Sequence, residues 1–348
     1  MTDKERRPEA NPAPETYTYP PLLTVATSPH MKHKDTTTAL MARVILALLP
    51  ALLWGLYKFG WAALWVNLVS VASCVGFEYL YQKLTRQRVT IHDLSAVVTG
   101  LLLGLNVTSL LPLWMAVLAA FFAMVVVKGL FGGIGKNVFN PALAGRAFLV
   151  LSYPAAMGKY DFAPFAGDLA SEAVDAVAGA TPMVALKSGD LSDISLWDMF
   201  LGNVPGVIGE ISALLLLVGG LYLLVRKVIT WHIPVCYLGT VALLTFVFPR
   251  GGADNLTFMT AQLLGGGLIL GAFFMATDYT TSPSAPLGRI IFGVLCGLLT
   301  VFIRYFGAYP EGVSFAILIA NSLVFYLDRY ARPRWYGAGR RLWGGRKA

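Results

Sequence analysis

An all-α polytopic membrane bundle is the fold this sequence predicts, and three observations predict it. Ten apolar stretches follow one another along 348 residues, separated by short polar turns. Hydrophobic residues make up 56% of the chain and charged residues only 13%, about half of the ~25% that a water-soluble domain carries. Basic residues collect between alternate stretches, the pattern that orients helices in a membrane.

A spanning helix needs about 20 apolar residues, within a range of roughly 17–25. The stretches 40–57, 61–80, 94–111, 113–127, 207–225, 233–248, 258–277, 290–306 and 313–327 suit that length. A tenth, 141–153, is short and contains Arg146. Counting it as a span makes about ten and puts Lys83, Arg86, Arg88, Lys128, Lys136, Arg226, Lys227 and Arg289 on the cytoplasmic side with both termini. Counting nine breaks that pattern halfway along.

The resulting organisation is a cytoplasmic segment (1–38), a first membrane half (39–153), an extracytoplasmic loop (154–206), a second membrane half (207–327) and a basic cytoplasmic tail (328–348). The loop carries seven acidic residues against two lysines, as an outward-facing segment should. Gly100-Leu-Leu-Leu-Gly-Leu-Asn106 in the first half matches Gly267-Leu-Ile-Leu-Gly-Ala-Phe273 in the second. An Asn-bearing segment follows each, around Asn137 and Asn140 and around Asn321. Five spans per half, entered from opposite sides, predict two inverted five-helix repeats.

Several function classes drop out. Seven of the 27 Lys and Arg residues lie beyond Asp328, directly after a span, so the net charge of +8 reads as contact with an anionic lipid membrane and not with nucleic acid. Cys74, Cys236 and Cys296 are far apart within apolar stretches, and His30, His33, His92 and His232 are scattered; no metal or iron–sulfur spacing exists. The polar, Pro-rich start reads as no cleavable leader, with the first span acting as insertion signal.

The segment 128–146 is Gly-rich but is not a phosphate-binding P-loop. Leu130 stands where its first glycine belongs, and Asn137 where Ser or Thr belongs. It reads either as a re-entrant turn buried in protein or as a ligand site in which Asn137, Asn140 and Arg146 line one cavity. An arginine near membrane depth is costly and faces a bundle interior or an aqueous cavity. Glu78 is expected to snorkel to the interface, Asp278 to be a cation ligand or a helix-end cap, and Arg304 to pair with Glu311. In the polar loop, Asp175-Ala-Val-Ala-Gly-Ala-Thr181-Pro182 surrounds one threonine with small residues. Pro182 holds Thr181 extended, leaving its hydroxyl accessible to a modifying enzyme.

These motifs occur together in one family. The chain resembles the D-type membrane component of the Rnf electron-transport complex and, more distantly, the B-type component of the sodium-translocating NADH:quinone reductase. The shared runs, in order, are Thr27-Ser-Pro-His30, Asp93-Leu-Ser-Ala-Val-Val-Thr-Gly100, Phe131-Gly-Gly-Ile-Gly-Lys-Asn-Val-Phe-Asn-Pro-Ala142 with Gly145-Arg146, Ala180-Thr181-Pro182, Phe274-Met-Ala-Thr-Asp-Tyr279 with Thr281-Ser-Pro283, and Glu311-Gly-Val-Ser314.

The resemblance implies FMN joined to Thr181 by a phosphoester within a motif that begins at Asp175; Ala178 departs from it where Ser or Thr is frequent. It also implies a second, non-covalent flavin (riboflavin) among the helices. Arg146 and Lys187 are candidates to offset flavin phosphate or electron charge. The implied partners are the A, B, C, E and FMN-bearing G components of the Rnf complex, together with an FMN transferase. NAD and ferredoxin would be handled on partner chains, and sodium or protons would move across the bacterial inner membrane. Two alternatives remain. One is a B-type component of the quinone reductase, for which a longer N-terminal region is expected. The other is a cofactor-free urea- or ammonium-type channel, which has no need of a flavinylation motif.

Overall fold

The computed structural model describes residues 36–159, 182–189, 195–250, 254–307, 309 and 311–331. The unit that begins at Thr37 holds all the elements described below, and among the described residues they are helices and turns only. The architecture is that of an all-α, multi-pass membrane protein.

Helix α1 (Thr37–Leu84) has 48 residues, about 72 Å at 1.5 Å per residue and more than twice a hydrocarbon core. It is broken at Gly60, whose φ of 65° suits a residue without a Cβ. The arms 37–59 and 61–84 match the first two apolar stretches.

The third stretch is different. Its helix, α2 (Ser95–Leu105), starts where Asp93 accepts hydrogen bonds from Ser95 N and Oγ (2.9 and 2.7 Å). It stops at Asn106, whose amide donates back to Leu102 O at 2.6 Å. The apolar run continues, but the helix does not. At 11 residues it is about 16 Å long, half a bilayer.

Helix α3 (Leu113–Phe121) passes into a π-helical stretch, Phe122–Gly129. Asn140 then caps α4 (Pro141–Ser152), accepting from Ala142 N and Leu143 N with proline at the first helical position. Short α5 (Pro154–Met157), α6 (Pro182–Ser188) and α7 (Leu196–Leu201) follow.

The second half comprises α8 (Ala213–Val225), α9 (His232–Val247), α10 (Asn255–Leu264), α11 (Leu268–Leu270) with a π turn Gly271–Met275, α12 (Pro286–Phe306) and α13 (Val313–Ala331). The sixth stretch is helical only from Ala213. Ahead of it, Ile208 N and Gly209 N donate to Val107 O (3.3 Å) and Leu105 O (2.8 Å). The backbone there satisfies carbonyls at the end of α2 that the helix itself cannot. Gly209 is required for this approach, because a Cβ would lie 2.6 Å from Leu105 Cβ.

By length and composition, Thr37–Leu84, Pro286–Phe306 and Val313–Ala331 can cross a membrane, and Asn255–Leu264 with Leu268–Met275 can do so as one span bent by 61°. The bend lies at Gly265–Gly267, where Gly266 and Gly267 both have φ of 65°. The other apolar helices are shorter.

The halves are tied in like manner. Setting Gly100 against Gly267 sets Ser95 against Gln262. In the first half Lys128 Nζ donates to Ser95 Oγ (2.7 Å); in the second Arg304 Nη1 donates to Gln262 O and Oε1 (2.6 and 2.9 Å). Each half thus pins its short or broken helix with a buried cation. Helices α4 and α13 lie antiparallel, since Arg146 bonds Ser314 while Asn321, its amide oriented to suit its neighbours, accepts from Asn140 N at 3.2 Å.

Candidate cofactor site

Arg146 lies on α4, Asn140 caps its start and Asn137 precedes it, and the structure divides these three residues singled out by the sequence between two cavities. Arg146 lies six residues beyond Asn140, about 9 Å along the axis. The single cavity expected for Asn137, Asn140 and Arg146 is therefore corrected to two.

The first cavity, about 360 Å³, has Asn137, Asn140, Ser95, Lys128, Asp278 and Thr280 among its polar lining residues, within mostly apolar walls that include Phe273 and Phe274. Asn140 is partly committed: besides capping α4 it donates to Met275 O at 3.3 Å, closing the end of the π turn. Asn137 donates to Phe139 O at 3.1 Å. Asp278 accepts from Thr280 and Thr281 Oγ1 (3.0 and 3.3 Å), which makes it a turn cap. Behind the cavity, Glu78 forms an ion pair with Lys128 at 2.8 Å, both side chains 5% exposed. The snorkelling expected of Glu78 is thus replaced by burial, because a cation 50 residues away supplies the partner that water would have been.

The second cavity, about 250 Å³, is lined by Arg146, Val150, Val184, Tyr309, Ser314 and Phe315, among others. Arg146 is 3% exposed. Its guanidinium donates to Ser314 Oγ (2.7 Å) and Asn106 Oδ1 (3.5 Å), is paired directly with the Glu311 carboxylate, and lies 3.6 Å from Glu210 Oε1. A buried charge is tolerated when it is paired and hydrogen-bonded in this way. The rings of Tyr309 and Phe315 stack at 5.4 Å. Arg304 pairs with Glu311 through the backbone: its Nε donates to Glu311 O at 3.1 Å, while Nη2 holds Gly265 O and Gly266 O. The expected side-chain pair is corrected accordingly, since Arg146 takes the carboxylate.

Thr181 and Asp175 lie outside the described residues. The chain immediately after Thr181 is described, and it is anchored. Met183 (3% exposed) and Leu186 (fully buried) pack with Met199, Phe258 and Ala261, and Lys187 Nζ donates to Gly307 O at 2.6 Å. Lys187 thereby ties α6 to the end of α12. Val184 projects onto the 250 Å³ cavity, and Pro182 lines a smaller space beside Glu210 and Glu311. Glu210 was not legible as a site residue in the sequence; its only signal is a carboxylate before an apolar stretch.

The model for the family described as "NQR2, RnfD, RnfE" matches residues 24–337. The chain belongs to that family. It is 44% identical over 318 residues to the D component of the Na(+)-translocating ferredoxin:NAD(+) oxidoreductase complex of Acetobacterium woodii, covering 90% of this chain and 95% of the relative. It is 39% identical over 330 residues to the D component of the proton-translocating ferredoxin:NAD(+) oxidoreductase complex of Clostridium ljungdahlii, covering 92% and 97%. The D component of the ion-translocating oxidoreductase complex of Escherichia fergusonii is 36% identical over 344 residues, covering 90% and 98%.

Proposed function

We propose that this family member is the D-type membrane component of an ion-translocating ferredoxin:NAD oxidoreductase, and that it carries electrons through FMN joined to Thr181. The single observation that carries the reading is the arrangement around Pro182: the residue next to the motif's threonine belongs to a helix anchored over a cavity whose polar floor is Arg146 and Ser314 and whose walls include Val184, Tyr309 and Phe315. A hydrogen-bonding floor of Ser314 and an Arg146 paired with Glu311, under aromatic walls, suits a planar ring system with polar edges. FMN would supply the one-electron chemistry; the chain supplies attachment, position and charge.

Within this reading Arg146 stabilises negative charge near the ring, and Lys187 acts indirectly by holding α6 in place. Because its guanidinium is already divided between Glu311, Glu210, Ser314 and Asn106, Arg146 has little freedom to move when charge arrives, which is the condition for a preorganised electrostatic site. The loop 154–206 faces outward, and both termini lie in the cytoplasm of a cell bounded by the bacterial inner membrane. The non-covalent flavin belongs to the 360 Å³ cavity at the other end of α4, within the volume range of small-molecule pockets. Asn137, Asp278 and Thr280 are its candidate polar contacts. The other Rnf components and an FMN transferase are the partners this assignment requires, with NAD and ferredoxin bound elsewhere in the assembly.

The test is flavin fluorescence of the chain after denaturing electrophoresis, following co-expression with its FMN transferase. Fluorescence that stays with the wild-type band and is absent from Thr181→Ala supports the proposal. A dark wild-type band beside an active transferase refutes it.

A further inference from the structure

Lys128 stands between two spaces. It lines the 360 Å³ cavity and also a space of about 10 Å³ that it shares with Glu78 and Gln82. It belongs to the π-helical stretch Phe122–Gly129, a wide turn of the kind that recurs at functional sites. Phe273 and Phe274 of the cavity wall come from the π turn Gly271–Met275. Among the described residues that line the cavity, Lys128 is the single cation. It is already engaged: Nζ is 2.8 Å from Glu78 Oε1 and donates to Ser95 Oγ at 2.7 Å. Glu78 itself does not line the cavity.

We infer that Glu78 determines which flavin the cavity accepts: it cancels the charge of Lys128, so that a flavin without a phosphate is preferred over FMN. The inference rests on the placing of the non-covalent flavin in this cavity. An ammonium group at an apolar cavity, left without a counter-charge, attracts a phosphate as a point charge. Glu78 supplies the counter-charge from within the protein, its side chain 5% exposed. A phosphate entering the cavity therefore meets a pair that is neutral as a whole. The other polar groups that line it are hydroxyls, amides and Asp278, and none adds positive charge. A phosphate would give up its water there for no free cation in return, which is the costly case for a buried charge. The ribityl chain of riboflavin carries hydroxyls alone. These match the hydroxyl and amide groups of Thr99, Asn137 and Thr280. Glu78 thus acts through Lys128 and sets specificity by charge.

The experiment is a competition. The full-length chain, produced without FMN transferase and held in lipid nanodiscs, is equilibrated with equal concentrations of riboflavin and FMN. Free flavin is removed, and bound flavin is released by acid and separated by chromatography. Wild type is expected to hold riboflavin over FMN by about tenfold or more. Glu78→Gln leaves Lys128 without its counter-charge and should move the ratio toward FMN by about tenfold or more. Glu78→Leu/Lys128→Met has neither charge and should keep the wild-type preference. A purely structural role for Glu78 would lower both flavins together and leave the ratio alone.

Wild type that takes up FMN as readily as riboflavin overturns the inference without any variant. So does a ratio unmoved by Glu78→Gln, or a double variant that turns to FMN. These results leave the cavity standing as a flavin site if Asn137→Leu lowers uptake. A wild-type chain that takes up neither flavin, or whose uptake is unchanged in Asn137→Leu, overturns the placing of the flavin and the inference with it.

Discussion

Replacing Lys128 by Met strands the Glu78 carboxylate. Both side chains are 5% exposed and 2.8 Å apart, Glu78 Oε2 has no hydrogen bond among the described residues, and Gln82 Nε2 is 3.2 Å from Oε1. Removing one partner of a buried pair typically costs about 3–5 kcal/mol, because the remaining charge is left uncompensated. Lys128→Met also removes the 2.7 Å bond to Ser95 Oγ, a further ~1 kcal/mol. The double variant Glu78→Leu/Lys128→Met removes both charges, and replacing a whole buried pair by apolar groups is often close to neutral. The single Lys128→Met variant should therefore be about 4–6 kcal/mol less stable than wild type, and the double variant should recover at least ~2 kcal/mol of that loss. Denaturant unfolding in detergent of wild type, Glu78→Leu, Lys128→Met and the double variant, followed by tryptophan fluorescence, gives the coupling energy. Losses that simply add would refute the view that the two charges answer each other. A Lys128→Met variant as stable as wild type would show that Glu78 finds water.

Other consequences can be checked alongside. Gly209→Ala drives a methyl group into Leu105 at the end of α2 and should cost about 1–3 kcal/mol, seen as a lowered unfolding midpoint. Asn140→Ala removes the cap of α4 and leaves Met275 O without its donor; about 2–4 kcal/mol of destabilisation is expected from the two losses together. Lys187→Met loses the bond to Gly307 O and about 1 kcal/mol; FMN attachment should persist, measured as flavin per chain. Asn137→Leu should reduce the non-covalent flavin released by acid while leaving the Thr181-bound flavin unchanged, since the two cavities lie at opposite ends of α4.

The first two apolar stretches were legible because burial in lipid demands apolar length, and the structure breaks α1 between them at Gly60. What could not be read were the places where apolar composition continues after the helix has ended. Leu94 to Leu111 is one apolar run, but the Asn106 amide bonds back on its own helix and stops it. The run 207–209 is apolar too, yet the Ile208 and Gly209 amides are committed to the end of α2 before α8 begins. The partners of buried charges were equally hidden. Arg146 meets Glu311 and Ser314 across 165 and 168 positions of chain, and no local pattern points from one to the other. The Asn–Pro start of α4 was visible as a motif, but its division between two cavities depends on the length of a helix turn and on what α13 brings alongside.

Whether Thr181 carries FMN is decided by peptide mass spectrometry of the chain co-expressed with its FMN transferase, beside the Thr181→Ala variant. The expected result is a peptide containing Thr181 that is heavier by one FMN less one water, with no such addition in the variant. An unmodified Thr181 in the presence of an active transferase would contradict the assignment of electron transfer to this chain.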